Sequence, residues 1–225
     1  QSDGTVWVTG SNSRGQLGHG RSADRLTLAL MLDVTDAVAV ACGAEHTVVL
    51  RADGTAWGAG RNDHGQLGDG TAVDRLRPVA MAGIATAVAV SCGAHHTAVL
   101  LSDGTVWATG YNANGQLGDG SAANRTAPVP LSGVSGAVGI ACGTDHTAVL
   151  RADGTVWAVG ANDQGQLGDG TQTERRTAVK AAISNGVSAV ACADRATLVM
   201  ASDGTVWGLL PTIASYRNSS LNRPV

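Results

Sequence analysis

Aromatic residues are scarce in this chain of 225 residues, and phenylalanine is absent: only 3% of the positions are aromatic. Charged residues make up 15%, lysine occurs once, and the formal net charge is -3. Without a basic stretch the chain is not expected to bind nucleic acid, since phosphate contacts need clustered Lys and Arg. No apolar run approaches the about 20 residues of a membrane-spanning helix, so membrane insertion is not expected either.

The first residues, Gln-Ser-Asp, contain no basic segment followed by an apolar one, so no signal peptide is evident. A mature chain whose leader had been removed would look the same, and the compartment stays open. Hydrophobic residues make up 44% of the chain, which together with the low charge argues against intrinsic disorder.

Glycine is in excess, at 31 positions, and an internal repeat of 50 residues explains it. Asp-Gly-Thr recurs five times with tryptophan four positions after the aspartate, and Gly-Gln-Leu-Gly and cysteine each recur four times. The cysteines are Cys42, Cys92, Cys142 and Cys192. We expect one repeat domain over residues 1–225, with units 3–52, 53–102, 103–152 and 153–202 and a divergent terminal unit 203–225.

Each unit has the pattern of four short antiparallel strands. In one unit the alternation over residues 84–92 predicts an inner strand buried on both faces, followed by strands at 97–101 and 105–109. Asp103-Gly104 between the last two predicts a two-residue type I′ turn. A glycine-rich loop then leads to an outer edge strand around Pro128, where proline is tolerated. The sequence therefore predicts an all-β fold, a β-propeller with four-stranded blades.

The number of units sets the extent of the propeller. Four inner strands and five tryptophan strands give four blades plus a half-blade at the N-terminus. The last four residues, 222–225, resemble residues 74–79 and are expected to form a divergent outer strand. We expect an open arc, a part of a seven-bladed ring, or a ring completed by another copy; a smaller closed ring is less favoured. Open strand edges favour self-association, so a homo-oligomer is one expectation.

Three motifs carry a family resemblance. The chain has ACGAEHT, SCGAHHT and ACGTDHT, then DGTVW, and NANGQLGDG with its equivalents. These resemble the regulator of chromosome condensation repeat family over nearly the whole chain. The resemblance implies a propeller, commonly seven-bladed, and protein-binding roles, since members include an exchange factor for a nuclear GTPase and an inhibitor of β-lactamases. The fourth unit departs from the pattern over residues 192–197, which lack the glycine and histidine. The arginine-rich, lysine-poor composition indicates a bacterial source.

The recurring histidines and cysteines are interpreted as structural. His46, His96 and His146 recur once per unit, and zinc would need them to converge within about 2.0–2.1 Å of one ion. We expect each to bond to backbone in its own or the next blade and to hold the blade join. The cysteines are expected to be small buried residues, because equivalent positions on adjacent blades exceed the roughly 4.4–6.8 Å Cα spacing of a disulfide.

The glycine loop fits neither a phosphate nor a calcium site. It lacks a Gly-Lys-Ser/Thr ending and a following helix, and its carboxylates lack calcium-loop spacing. We interpret it as a tight loop with glycines at positive φ. No nucleophile stands beside a histidine. We therefore expect no cofactor, no metal and no catalytic residue.

Some positions vary between otherwise similar units, and loop positions on a rigid scaffold commonly bind partners. Drift at exposed positions is the competing explanation. Tyr111 and Arg61 form the favoured anchor pair, since Tyr and Arg are enriched at interfaces. We expect a non-enzymatic protein-binding propeller with a protein partner; the alternatives are a self-assembling structural protein completed by another copy, and an enzyme with a site at the propeller axis or in the divergent tail. The candidate partner-binding residues are Glu45, Arg61, His64, His95, Tyr111, Asn114, Asp145, Gln164 and Arg195.

Overall fold

The structure is a computed structural model that describes residues 3–183 and 186–209. The residues it describes form seventeen β-strands and no helix. The expected outer strand at 222–225 lies outside them. The strands are β1 (Trp7–Gly10), β2 (Arg25–Leu30), β3 (Ala37–Cys42), β4 (His46–Arg51), β5 (Ala56–Gly60), β6 (Arg75–Ala80), β7 (Ala87–Cys92), β8 (His96–Leu101), β9 (Val106–Gly110), β10 (Arg125–Pro130), β11 (Ala137–Cys142), β12 (His146–Arg151), β13 (Val156–Gly160), β14 (Arg175–Lys180), β15 (Val187–Cys192), β16 (Thr197–Ala201) and β17 (Val206–Leu209).

The strands form successive antiparallel sheets in chain order. Strands β3 to β6 form blade 1, β7 to β10 blade 2, β11 to β14 blade 3, and β15 to β17 blade 4, while β1 and β2 form an N-terminal half-blade. Within the described residues β1 pairs with β2 alone and β17 with β16 alone, so the sheets form an open arc. The predicted propeller blades are confirmed, and Pro128 lies in the outer strand β10.

The Asp-Gly turn differs from the predicted type I′ form. Gly104 has a φ of +78°, but Asp33 is the one described non-glycine residue with positive φ, so Asp103 does not adopt it. The Gly104 amide donates to the Leu101 carbonyl at 3.0 Å, which gives the longer hairpin loop ending in a left-handed glycine. Asp103 instead accepts hydrogen bonds from the Thr105 amide and hydroxyl, at 2.9 and 2.7 Å.

The core lies between neighbouring blades. Val48, Leu50 and Met81 of blade 1 pack with Val99 of blade 2, and the same arrangement recurs between blades 2 and 3. Aliphatic side chains thus fill the joins, while four of the five tryptophans are only half-buried and Trp7 is exposed. The predicted burial of the inner strands on both faces is wrong: Val88 is 54% exposed, and it lies where the pairing of β7 with β8 shifts register, as at a β-bulge.

A buried histidine joins each complete blade to the next. The Nε2 atoms of His46, His96 and His146 lie 3.0, 3.0 and 2.9 Å from the hydroxyls of Thr97, Thr147 and Thr197. Each of these hydroxyls also donates to a main-chain carbonyl, that of Gln66, Gln116 or Gln166. The histidines hold the blade joins as expected, but through a threonine side chain of the next blade instead of the backbone.

No helix that could cross a bilayer occurs among the residues that the structure describes.

Candidate protein-interaction face

One end of the arc carries both the turns between first and second strands and the long loops between third and fourth strands. We call this end the loop face; it comprises residues 43–45, 61–74, 93–95, 111–124, 143–145, 161–174 and 193–196. Because consecutive strands are antiparallel, these segments share one end, and the Asp-Gly hairpins occupy the other.

The long loops are held rigid from within. The Asn112 side-chain carbonyl accepts from the Leu117 amide at 3.0 Å, and its amide donates to Asp119 at 3.1 Å. Asp119 in turn pairs with Arg125 at 2.7 Å. Gly115, Gly118 and Gly120 have φ of +75°, +70° and +84°, which confirms the tight-loop interpretation. Side chains on these loops are therefore presented at fixed positions.

The equivalent carboxylate of blade 3, that of Asp169, is held ionised. Burial alone would raise the pKa of Asp169, but hydrogen bonds from Thr171, Arg175 and Asn162 outweigh it and lower that pKa to about 2. The ion pair with Arg175, at 2.7 Å, is thus kept over the physiological range.

Three rings from two blades meet on the loop face. The ring centre of His64, on blade 1, lies 5.0 Å from Tyr111 and 5.7 Å from His95, both on blade 2. His95 and Tyr111 are 6.4 Å apart and edge to face. We call these three residues the aromatic cluster. Burial chiefly lowers the pKa of His95, and the neighbouring charges of Arg61 and His64 lower it further.

Arg61 lies on the same face but is already paired. Its guanidinium contacts Glu45 at 2.9 Å and Asp63 at 2.7 Å. Of the expected anchor pair, Tyr111 therefore belongs to the aromatic cluster, whereas Arg61 is neutralised by two carboxylates.

A cleft of about 350 Å³ opens beside the aromatic cluster, between blades 2, 3 and 4. Arg195 donates to Asp163 at 3.1 Å, and burial raises the pKa of Asp145. Four carboxylates and one guanidinium thus give this acidic cleft a negative balance. Its lining includes Asn114, Asp145, Asp163, Glu174, Asp194 and Arg195.

All nine predicted residues lie on the loop face. His64, His95 and Tyr111 form the aromatic cluster, and Arg61 is paired with Glu45 on the same face. Asn114, Asp145 and Arg195 line the acidic cleft. Gln164 bonds to Asp163 at the edge of that cleft. The prediction missed Asp163, Glu174 and Asp194. These positions also vary between units, so the same comparison could have found them.

The axis of the arc is lined by the recurring cysteines. Burial raises the pKa of Cys142 to about 11 and that of Cys192 to about 12, which keeps both thiols protonated. Cys42 is exposed and Cys92, Cys142 and Cys192 are half-buried, contrary to the expectation that all four are buried. Within the described ranges no three His, Cys, Asp or Glu side chains converge as a metal site would require.

Comparison with solved structures supports the propeller assignment. Human WBSCR16 is 26% identical, with a TM-score of 0.80, over 90% of this chain and 55% of that one. Yeast RCC1 (Prp20), bound to Kap60, is 21% identical, with a TM-score of 0.79, over 92% and 52%. Prp20p from Saccharomyces cerevisiae, solved in a study of its binding to Gsp1p and histones, is 22% identical, with a TM-score of 0.78, over 92% and 54%. The chain thus spans about half the length of these proteins.

A comparison with curated protein sequences found no match. The family model for the regulator of chromosome condensation (RCC1) repeat matches four times, at residues 3–50, 53–100, 103–150 and 153–200. A second model of the same repeat matches residues 37–66, 87–116 and 137–166. The matches cover most of the chain and follow the 50-residue period, so the chain belongs to the regulator of chromosome condensation repeat family.

Proposed function

We propose that the chain is a non-enzymatic binding protein that recognises a protein partner through its loop face. The observation that carries the proposal is the position of the nine candidate partner-binding residues. All nine lie at one end of the arc, whereas the other end repeats Asp-Gly-Thr in every unit. A rigid scaffold with varied side chains at one end is typical of a recognition surface.

The chemistry of the face indicates what such a partner presents. The acidic cleft combines four carboxylates with Arg195 and suits a lysine or arginine side chain. Tyr111 and the two histidines beside it offer ring surface for an apolar or aromatic contact. A basic side chain next to an apolar one on a protein loop would fit both features.

Relatives of known structure support protein binding as a role for this fold. Yeast RCC1 is seen bound to Kap60, and Prp20p was studied with Gsp1p and histones. Those partners belong to proteins about twice the length of this chain, so they support protein binding in general and no particular partner.

The test compares the two ends of the arc. A partner is first identified by crosslinking in native cells and then purified to measure its Kd. The variant His64→Ala/Tyr111→Ala is expected to weaken binding about tenfold or more, since buried aromatic anchors carry much of an interface. The matched control, Ala52→Arg/Ala152→Arg, adds bulk at the opposite hairpins and should leave the Kd unchanged.

Two results would refute the proposal. One is loss of binding in the hairpin variant while the loop-face variant binds normally. The other is a partner that is chemically converted by the protein, which would favour the enzyme alternative.

A second candidate function, self-assembly, is favoured by the outer face of blade 4. Leu198, Met200 and Val206 are exposed there, whereas their equivalents Val48, Leu50 and Ala56 are covered by the neighbouring blade. An apolar sheet face of this kind suits contact with another copy.

A further inference from the structure

The three rings of the aromatic cluster are steeply inclined to one another. His64 and Tyr111 are tilted by 50°, His64 and His95 by 66°, and His95 and Tyr111 by 84°, with ring centres 5.0 to 6.4 Å apart. All three residues are half-buried, so solvent reaches them. Because no two rings are parallel, none covers the whole face of another, and ring face stays available to a bound group.

Negative charge surrounds these rings. Burial lowers the pKa of His95, which keeps its ring neutral at physiological pH, and the charges of Asp145 and Asp63 oppose that shift, so both carboxylates act on the ring. Arg61 brings a positive charge to the same place, but it is paired with Glu45 as well as with Asp63. Three carboxylates against one guanidinium attract a cation to the cluster.

The carboxylates around the rings are already hydrogen-bonded. Asp63 accepts from the Nε and Nη2 atoms of Arg61 at 2.8 and 2.7 Å, and Glu45 accepts from its Nη1 atom at 2.9 Å. Asp145 accepts from the side-chain amide of Gln116 at 3.1 Å. A lysine or arginine head group needs several acceptors, and each donor left unpaired costs free energy. A quaternary ammonium carries the charge without any donor and is held by ring faces, so it suits this site better.

A lysine side chain becomes a quaternary ammonium when it is trimethylated, and it keeps its charge. The acidic cleft beside the cluster suits a second basic residue of the same segment. A choline lipid has the same ammonium but brings a phosphate, which the carboxylates here repel. We propose that the aromatic cluster recognises a trimethylated lysine in a basic segment of the partner protein. This inference rests on the proposed function, because it takes the loop face as the recognition surface.

The probe is the synthetic peptide Ser-Lys-Ser-Arg-Ser, made with its lysine trimethylated or unmodified and titrated into the full chain at pH 7.5. NMR follows the ring signals of the histidines and tyrosines. We expect the trimethylated peptide to bind about fivefold more tightly or more, and to shift the signals of His64, His95 and Tyr111. A third peptide carries a neutral tert-butyl group of the same shape. It should bind more weakly than the trimethylated peptide, since it lacks the charge that the rings attract.

The variant Tyr111→Ala tests the cluster itself. Ala161 holds the equivalent position in blade 3, so alanine is compatible with the repeat there. We expect this variant to lose the preference for the trimethylated peptide, because tyrosine is among the rings that hold a cation well. The matched control, Gln164→Ala, changes the loop face of blade 3 at the edge of the acidic cleft and should keep the preference.

Three results would overturn the inference. The first is equal affinity of the trimethylated and unmodified peptides. The second is equal affinity of the trimethylated and tert-butyl peptides, which would make the contact purely apolar. The third is choline chloride binding as tightly as the trimethylated peptide, which would assign the cluster to a small molecule.

Failure here can be told apart from failure of the proposed function. If the peptides show no preference while His64→Ala/Tyr111→Ala still weakens binding of the partner protein, the loop face is the recognition surface and only the bound side chain is wrong. If that variant leaves binding of the partner unchanged, the proposed function is wrong as well.

Discussion

His46, His96 and His146 are single residues on which the joins between blades depend. The hydroxyl proton of each partner threonine is used by a main-chain carbonyl, so the imidazole Nε2 must carry the proton and donate it. The Nδ1 atoms are buried, with no hydrogen-bond partner within the described residues. Burial lowers the pKa of His46 and His96 to about 3 and that of His146 to about 4. The folded state therefore needs these histidines neutral.

This need makes stability depend on pH. Below a pH of about 6.5 the unfolded histidines take up protons and the folded ones do not, so stability is complete above that pH and falls towards pH 4. The free energy of unfolding should fall by up to about 1.4 kcal/mol per pH unit for each of the three histidines. Urea unfolding between pH 7.5 and 4.5, followed by tryptophan fluorescence, measures it. A stability that stays unchanged down to pH 4.5 would contradict the prediction.

At the scale of residues, the repeat itself made the loop face predictable. Comparing units identified Tyr111, His95 and Asp145 as variable, and the fold brings them to one end. What those side chains contact was not predictable in the same way. His46 and Thr97 lie 51 residues apart, and their contact depends on how one blade packs on the next, which the period does not specify.

At the scale of elements, the long loop of the first unit is the irregular one. In the units that follow, an aspartate accepts from the loop asparagine and pairs with an arginine, as Asp69 does with Arg75 at 2.6 Å. His19 stands in its place in the first unit, and its distance of 3.4 Å from the Asn12 amide is long for a hydrogen bond. Arg25, the equivalent of Arg75, is exposed.

Restoring the aspartate should stabilise this element. His19→Asp gives Arg25 a carboxylate and Asn12 a stronger acceptor, and we expect the free energy of unfolding to rise by about 1 kcal/mol. His19→Asn, which adds an acceptor without charge, should gain less. Urea unfolding compares the two variants with the original chain. Equal stability of both variants would show that the ion pair contributes nothing here.

Strand positions were predictable to within a few residues, because alternation and the Asp-Gly pairs bound each strand. The turn type was not. Asp-Gly is compatible both with a two-residue loop and with the longer loop observed, in which Asp103 accepts from Thr105. The choice depends on that bond and on the pairing of the strands, which neither residue specifies alone.

At the scale of the whole molecule, the two ends of the arc are unlike. The N-terminal end keeps the receiving threonine, Thr47, whereas blade 4 has lost its histidine and exposes larger side chains. Leu198 and Met200 are 41% and 40% exposed, against 0% and 2% for Val48 and Leu50. The number of blades could be predicted from the repeat. Whether the arc closes into a ring could not, since closure depends on what covers these two ends.

The exposed face of blade 4 predicts association that depends on concentration. Light scattering over a hundredfold range of concentration should show the mass rise, because burying these apolar side chains contributes roughly 25 cal/mol per Å². Leu198→Glu/Met200→Glu should stay monomeric, as a buried unpaired charge is costly. Val38→Glu, at the opposite end, serves as the control and should associate like the original chain. A monomeric mass throughout would exclude this contact.

The direction of the histidine–threonine bonds sets an order in time during synthesis. Each histidine reaches a threonine that is translated 51 residues later, so a newly made blade holds an unsatisfied imidazole until its successor has left the ribosome. If the blades fold in order from the N-terminus, each blade is stabilised when the next blade folds and supplies its threonine. Blade 4 does not depend on a later threonine in this way, because Ala196 stands at the position of the histidine.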